Sequence, residues 1–129
     1  MKKGIVLLLL MGLFISCHKR EVKPTNALVG TWKMVASLSD PGDGSGVFID
    51  VESDKVLEFN NDSIVTSNGT ICSISALSDT PSTGIYHWDT QTITSSCTSH
   101  FYFNSDKTVL TLYFPGREPI GARFEKIQE

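Results

Sequence analysis

Basic residues are scarce in this sequence, and their scarcity excludes one class of partner. The chain has 11 Lys and Arg against 14 Asp and Glu. Without Lys2 and Lys3 at its start, 9 basic residues stand against 14 acidic ones, a net charge of −5. A nucleic-acid-binding surface needs an excess of positive charge. The composition therefore excludes nucleic acid as a partner.

Long apolar runs are missing too, with one exception near the start of the chain. Residues Ile5 to Ile15 are apolar apart from Gly12, and this run is shorter than the roughly 20 residues that a membrane-spanning helix needs. A basic start, a short apolar core and a small residue such as Ser16 are the parts of a secretory signal peptide. We expect residues 1–16 to be a signal peptide.

The lone cysteine after this run indicates how the protein is held. The residues Phe14, Ile15, Ser16 and Cys17 resemble a bacterial lipobox, which implies cleavage before Cys17 and acylation of that residue. Acyl chains would then bind the protein to a membrane. Residues 17–27 are polar and would form the lipidated N-terminus and tether. The alternative is an ordinary signal peptide with an incidental cysteine.

Cysteine is otherwise limited to one pair. Besides Cys17, the chain has two cysteines, Cys72 and Cys97. In an exported protein an even pair is expected to form a disulfide, so we predict a bond between Cys72 and Cys97.

A helical period is absent after Cys17, and β-branched or aromatic residues alternate with polar ones instead. Short turn clusters rich in Gly, Asn, Asp, Ser and Pro separate the segments, so neighbouring strands should run antiparallel. The predicted strands are Leu28–Leu38, Val47–Val51, Lys55–Phe59, Ser63–Ser67, Gly84–Trp88, Thr92–Ser96, His100–Asn104, Thr108–Phe114 and Ile120–Ile127. The prediction is an all-β domain over residues 28–129, an up-and-down antiparallel barrel of about eight strands, because closure removes exposed edges.

Two features of the terminal strands resemble the lipocalin superfamily. They are the Gly-x-Trp of Gly30 and Trp32 in the first strand and Arg123 in the last. Together with "LVGTWKMV", "DPGDGSG", "LEFNNDSIVTSNG", the cysteine pair and "ARFEKI", they resemble the small lipocalin-like lipoproteins of Bacteroidetes bacteria. The resemblance implies that Trp32 closes one barrel end with the Arg123 guanidinium over its ring, where a cation–π contact would stabilise closure.

The same resemblance bears on location. His18, Lys19 and Arg20 follow Cys17 in place of the acidic run that resembles a Bacteroidetes surface-export signal. This implies a lipid anchor in the outer membrane with the domain facing the periplasm, and the cell surface is the alternative. Asp62, Ser63 and Ile64 also resemble an O-glycosylation sequon of those bacteria, although a turn leading into a strand is the favoured explanation of these residues.

Catalytic and metal-binding patterns are weak. Ser45 lies in "GDGSG", which does not fit the Gly-x-Ser-x-Gly of a hydrolase. The acidic residues between Asp40 and Asp54 miss the spacing of an EF-hand, and a zinc site would need the thiolates of the predicted disulfide. We expect no enzyme activity, no metal and no cofactor.

Two functions are compatible with this pattern. In the first, the barrel encloses a small apolar ligand, with contacts drawn from Tyr86, Trp88, Phe101, Tyr102 and Phe103. Alternatively, the outer surface engages a protein or glycan partner, as an interaction or inhibitor module would. A roomy interior favours the first, and a packed interior with an exposed aromatic or acidic patch favours the second.

Overall fold

A computed structural model describes residues 26–129, and it contains nine β-strands. Their bounds are β1 Gly30–Ser39, β2 Ile49–Asp50, β3 Val56–Phe59, β4 Ile64–Ser67, β5 Ser82–His87, β6 Thr92–Thr94, β7 Thr98–Phe103, β8 Val109–Tyr113 and β9 Ile120–Gln128. Each predicted strand therefore exists, with its ends moved by a few residues. The predicted signal peptide, Cys17 and most of the tether lie outside the described residues. Within 26–129 there is no helix long and apolar enough to cross a membrane.

The strands close into an antiparallel barrel. From β3 onward each strand pairs with the next, and β1 pairs with both β3 and β9. The two-residue β2 extends the β3 edge of β1 by pairing at Ala36 and Ser37. The eight-stranded up-and-down barrel predicted from the sequence is confirmed, with the closing seam between the first and last strands.

One end of the barrel, here called the amino end, is where β1 begins and β9 finishes. Thr31 pairs with Gln128 at this end, and Gly30 pairs with Phe59. The turns from β3 to β4, β5 to β6 and β7 to β8 lie at the same end, because alternate strands reverse direction. The opposite end carries the remaining connections.

An irregularity in β1 changes which side chains face the interior. Met34 pairs with Phe124, but Ala36 pairs with Arg123, so an extra residue, Val35, is inserted in β1. Opposite partners in an antiparallel pair project to the same face. Met34 therefore points inward, whereas Ala36 points outward with Arg123. The upper half of β1 thus turns apolar side chains away from the core.

Fourteen buried side chains form a single cluster that fills the barrel. Trp32, Phe59, Phe101 and Phe124 are its largest members and are at most 2% exposed. The outward-turned Ala36 and Leu38 are buried as well, but they do not belong to this cluster. The interior is therefore packed with protein side chains, and a second, smaller apolar contact lies outside the sheet.

A long connection, residues 68–81, lies over the end opposite the amino end; we call it the mouth loop. Its Ile71 is fully buried in the core cluster. Cys72 bonds to Cys97 beyond β6, with Cα atoms 5.9 Å apart, which confirms the predicted disulfide. Lys55, also fully buried, donates hydrogen bonds from Nζ to the carbonyl oxygens of Ser73 at 2.9 Å and Ser75 at 3.1 Å.

Candidate functional site: an aromatic face outside the barrel

Three aromatic rings and one guanidinium meet on the outer surface of β7, β8 and β9. We define the aromatic face as Phe48, Tyr102, Tyr113 and Arg123. Tyr102 and Tyr113 are 50% and 37% exposed, large fractions for such side chains. Their centroids are 5.8 Å apart, and Phe48 lies 6.2 Å from Tyr113. The rings therefore form one continuous, partly exposed cluster.

The strands position this face by simple alternation. Phe101 and Leu112 point into the core, so their neighbours Tyr102 and Tyr113 point outward. Arg123 follows the buried Ala122 on β9 and also points outward. Its guanidinium carbon lies 3.8 Å from the centroid of the Phe48 ring. A cation over an aromatic face is an attractive arrangement, so it fixes the orientation of both groups.

Phe48 reaches this position because β9 has a glycine beneath it. A Cβ atom at Gly121 would lie 3.3 Å from the Phe48 ring, 3.3 Å from the Tyr113 ring and 2.7 Å from the Leu112 carbonyl oxygen. The absence of a side chain at Gly121 thus leaves the space in which the Phe48 ring packs against the sheet. The inserted Val35 turns Leu38 outward opposite Gly121, on the face that Phe48 covers.

This face was not predicted from the sequence. Tyr102 was expected among the ligand contacts together with Phe101 and Phe103, although neighbouring residues of a strand point to opposite sides of the sheet. Nothing in the pattern indicated Phe48, because it precedes β2 on the segment from β1 and meets β9 only through the fold.

An acidic cleft borders the aromatic face. It has a volume of about 440 Å³, and its lining includes the carboxylates of Asp50, Glu52 and Glu125 and the ammonium of Lys33. Asp50 pairs with Ala36, which pairs on its other side with Arg123, so the cleft and the face adjoin across β1. Among residues 26–129 none of the three carboxylates forms a salt bridge. The cleft thus carries an excess of negative charge.

The predicted ligand contacts do not share one pocket. Trp88, Phe101 and Phe103 meet at the amino end, where the Trp88 centroid lies 6.1 Å from Phe101 and 6.0 Å from Phe103. Phe103 continues the cluster to Trp32 at 5.8 Å. Trp88, predicted as a contact of a ligand inside the barrel, lies instead in the turn after β5 and is 46% exposed.

Tyr86 and Tyr102 lie apart from that cluster. Tyr86 is buried against Phe59, with centroids 5.4 Å apart, and its hydroxyl donates to the Asn60 carbonyl oxygen. Burial raises the pKa of the Tyr86 phenol above its ordinary value. Tyr102 belongs to the outer face. The sequence therefore grouped residues that alternation places on opposite sides of the sheet.

The predicted contact between Trp32 and Arg123 is wrong. Trp32 is fully buried, with Nε1 donating to the Leu28 carbonyl oxygen at 2.7 Å. The cation next to its ring is Lys126, its register partner, whose Nζ lies 5.4 Å from the ring centroid. Arg123 projects to the outer face instead. Trp32 and Arg123 nevertheless occupy the two strands that close the barrel, and Gly30 begins the first with φ of 128°.

Hydrogen bonds between the Asp40 side chain and nearby backbone N–H groups shape the acidic segment after β1. The Asp40 carboxylate accepts hydrogen bonds from the N–H groups of Gly42, Gly44 and Gly46 at 2.7, 3.1 and 2.7 Å. The bonds from Gly42 and Gly46 in particular hold the pKa of Asp40 below its ordinary value. Gly42 and Gly44 have positive φ, as the turn chemistry of this stretch predicts. In residues 26–129 no group of three His, Cys, Asp or Glu side chains is placed to hold a metal ion.

Comparisons of the chain with protein-family models, with curated proteins and with solved structures find no significant match.

Proposed function

We propose that this protein is a lipid-anchored, non-enzymatic interaction module that binds a macromolecular partner through the aromatic face. The observation that carries the proposal is the contrast between a filled barrel and exposed rings outside it. Fourteen side chains occupy the interior, while Tyr102 is 50% exposed on the outer surface. Tyr and Arg are the residue types enriched where proteins bind partners.

The anchor belongs to the same proposal. Acylation of Cys17 would hold the domain at the outer membrane, facing the periplasm, through a tether of about ten residues. β1 begins at the amino end, so a chain anchored upstream would turn that end toward the bilayer. The aromatic face lies on the side of the barrel and would stay accessible to a partner. A resemblance to lipocalin-like lipoproteins of Bacteroidetes supports this arrangement.

Position-dependent photocrosslinking tests the proposal. A diazirine-bearing residue, which inserts into protein and sugar alike, is placed at Tyr102 or at the control position Thr66, an exposed site on the outer side of β4. The full-length protein is irradiated in the membranes of the cells that produce it. We expect an adduct of defined mass from position 102 and none from position 66. Equal labelling at both positions, or none at either, would contradict a specific face.

A second function is favoured by the exposed Trp88. A small apolar ligand could bind at the amino end, where Trp88 lies over Phe101 and Phe103. This end would face the bilayer, a source of apolar molecules. Mass spectrometry of organic extracts from natively purified protein tests it. A small molecule present with the wild type and with Tyr102→Ala, but lost with Trp88→Ala, would support this second function.

A further inference from the structure

The shape and charge of the aromatic face, with the acidic cleft beside it, indicate the kind of partner. The inference rests on the proposed function, because it assumes that this face binds. With nucleic acid excluded by the charge of the chain, the exposed aromatic residues would bind either a glycan or another protein. The geometry of the rings and the charge around them distinguish the two.

The ring geometry disfavours a sugar chain. Tyr102 and Tyr113 are inclined at 69°, and Phe48 and Tyr113 at 67°. No two neighbouring rings therefore offer parallel faces on which successive sugar units could stack. One face of Phe48 is already covered by Arg123, with its guanidinium carbon 3.8 Å from the ring centroid. The rings form a compact apolar mound suited to an irregular apolar surface.

The charge around the face favours a basic partner. The adjoining cleft of about 440 Å³ has three carboxylates, on Asp50, Glu52 and Glu125, against one ammonium, on Lys33. With the guanidinium of Arg123 counted, the face and the cleft together keep one excess negative charge. The chain after Lys3 has 14 acidic residues and 9 basic ones, so the long-range field has the same sign. Complementary charge at the rim of an interface accelerates association and selects partners. A neutral glycan can donate hydroxyl hydrogen bonds to these carboxylates but gains no long-range attraction from their charge, and an acidic glycan would be repelled.

We infer that the aromatic face and the acidic cleft together dock a protein segment with an apolar centre and flanking Lys or Arg residues. The apolar centre packs on Tyr102, Tyr113 and Phe48. The flanking cations enter the cleft beside Asp50 and Glu125. Arg123, held on Phe48, contributes its apolar stem and plane to the mound.

A peptide array and a glycan array, probed with the full-length protein in detergent, test the partner class. The peptides share an apolar centre of Leu, Trp and Leu, and differ in flanking pairs of lysine, serine or glutamate. We expect lysine-flanked peptides to bind about tenfold more tightly than glutamate-flanked ones at low salt, and this ratio to shrink as salt is raised. The glycan array should give no binding.

Matched variants separate the two parts of the surface. Tyr102→Ala with Tyr113→Ala should weaken binding of every peptide about tenfold. Asp50→Asn with Glu125→Gln should remove only the preference for lysine. Ile64→Ala and Glu58→Gln, which alter an apolar and an acidic residue exposed on other strands, should change nothing.

The outcomes also distinguish this inference from the proposed function. Glycan binding that depends on Tyr102 would overturn the protein partner and leave the aromatic face as a binding surface. Peptide binding without preference for basic flanks, or no peptide binding at all, would overturn the inferred chemistry. Absence of position-dependent crosslinking would remove the proposed function together with the inference.

Discussion

Trp32 links the closing seam of the barrel to its core. It is fully buried, it donates to the Leu28 carbonyl oxygen, and it contacts both Phe103 and Lys126. Because one indole joins the first strand, the amino end and the core, its loss should leave a large cavity. The arginine expected beside it lies instead on the outer surface.

Replacement of Trp32 by alanine should therefore lower the free energy of unfolding by about 3–5 kcal/mol, as loss of a buried aromatic usually does. Arg123→Ala is the control on the partner strand. It should cost less than about 1 kcal/mol, since the guanidinium contributes one exposed cation–π contact. Urea denaturation followed by circular dichroism measures both. Equal losses for the two variants would contradict a core role for the indole.

Lys55 gives the stability a dependence on pH. Burial lowers the pKa of its ammonium from 10.5 to about 8. Between these values the unfolded chain binds more protons than the folded one, so the free energy of unfolding rises with pH. The penalty for burying the charge is present below pH 8 and is lost as the amine deprotonates.

We expect Lys55→Met to remove this rise. Urea midpoints of the wild type and the variant are compared at about pH 7 and about pH 9.5; the tyrosines are the same in both proteins, so the comparison isolates the Lys55 amine. The wild-type midpoint should increase relative to that of Lys55→Met over this interval. A constant difference between the two proteins would show that the Lys55 amine does not titrate there.

Among the structural elements, the mouth loop is held to the barrel mainly by the disulfide and by hydrogen bonds. Its contacts include the disulfide, the two carbonyl oxygens bound by Lys55, and a hydrogen bond from the Ser53 hydroxyl to the Ala76 carbonyl oxygen at 2.7 Å. Residues 68, 69 and 71 form further hydrogen bonds with residues outside the loop. Ile71 provides its anchor in the core. Most of its other side chains are exposed or half-buried, so the loop should be the first part to open.

Replacement of both Cys72 and Cys97 by serine should destabilise the fold by about 3–4 kcal/mol on the chain-entropy view, given a separation of 25 residues. Cleavage by a protease such as thermolysin should then begin within residues 68–81. Thr80→Ala, at an exposed position of the same loop, serves as the control. Cleavage that starts at another connection would contradict the loop as the least stable segment.

The strands were predictable because each one follows a two-residue alternation bounded by turn residues, as in Ile64–Ser67 and Val109–Tyr113. The disulfide followed from the count of cysteines. The aromatic face was not predictable, for two reasons. The inserted Val35 reverses the alternation in β1. Phe48 is far from β9 in the sequence, and only the folded chain brings the two together. The expected contact of Trp32 with Arg123 is wrong for a different reason: Arg123 lies three residues from Lys126, the partner of Trp32, and therefore points to the opposite side of β9.

At the scale of the whole molecule, the proposed anchor on Cys17 would decide where the barrel acts. Cys17 lies outside the described residues, and its acylation remains a prediction from the lipobox resemblance. Cys17→Ser should move the protein from the membrane fraction to the soluble fraction, and intact-mass analysis should show the loss of the acyl groups. Cys72→Ala with Cys97→Ala should stay in the membrane fraction. Wild-type protein without acyl groups would contradict the anchor.

The seam between β1 and β9 also means that the two ends of the barrel sequence are neighbours in space. Lys126 donates to the Ala27 carbonyl oxygen at 3.2 Å, and Thr31 pairs with Gln128. A short linker from residue 129 to residue 27 would thus span little distance, and new termini could be opened at the exposed bond between Ser78 and Asp79. Such a circular permutant would keep every strand neighbour, because a closed ring of strands has no obligatory first member.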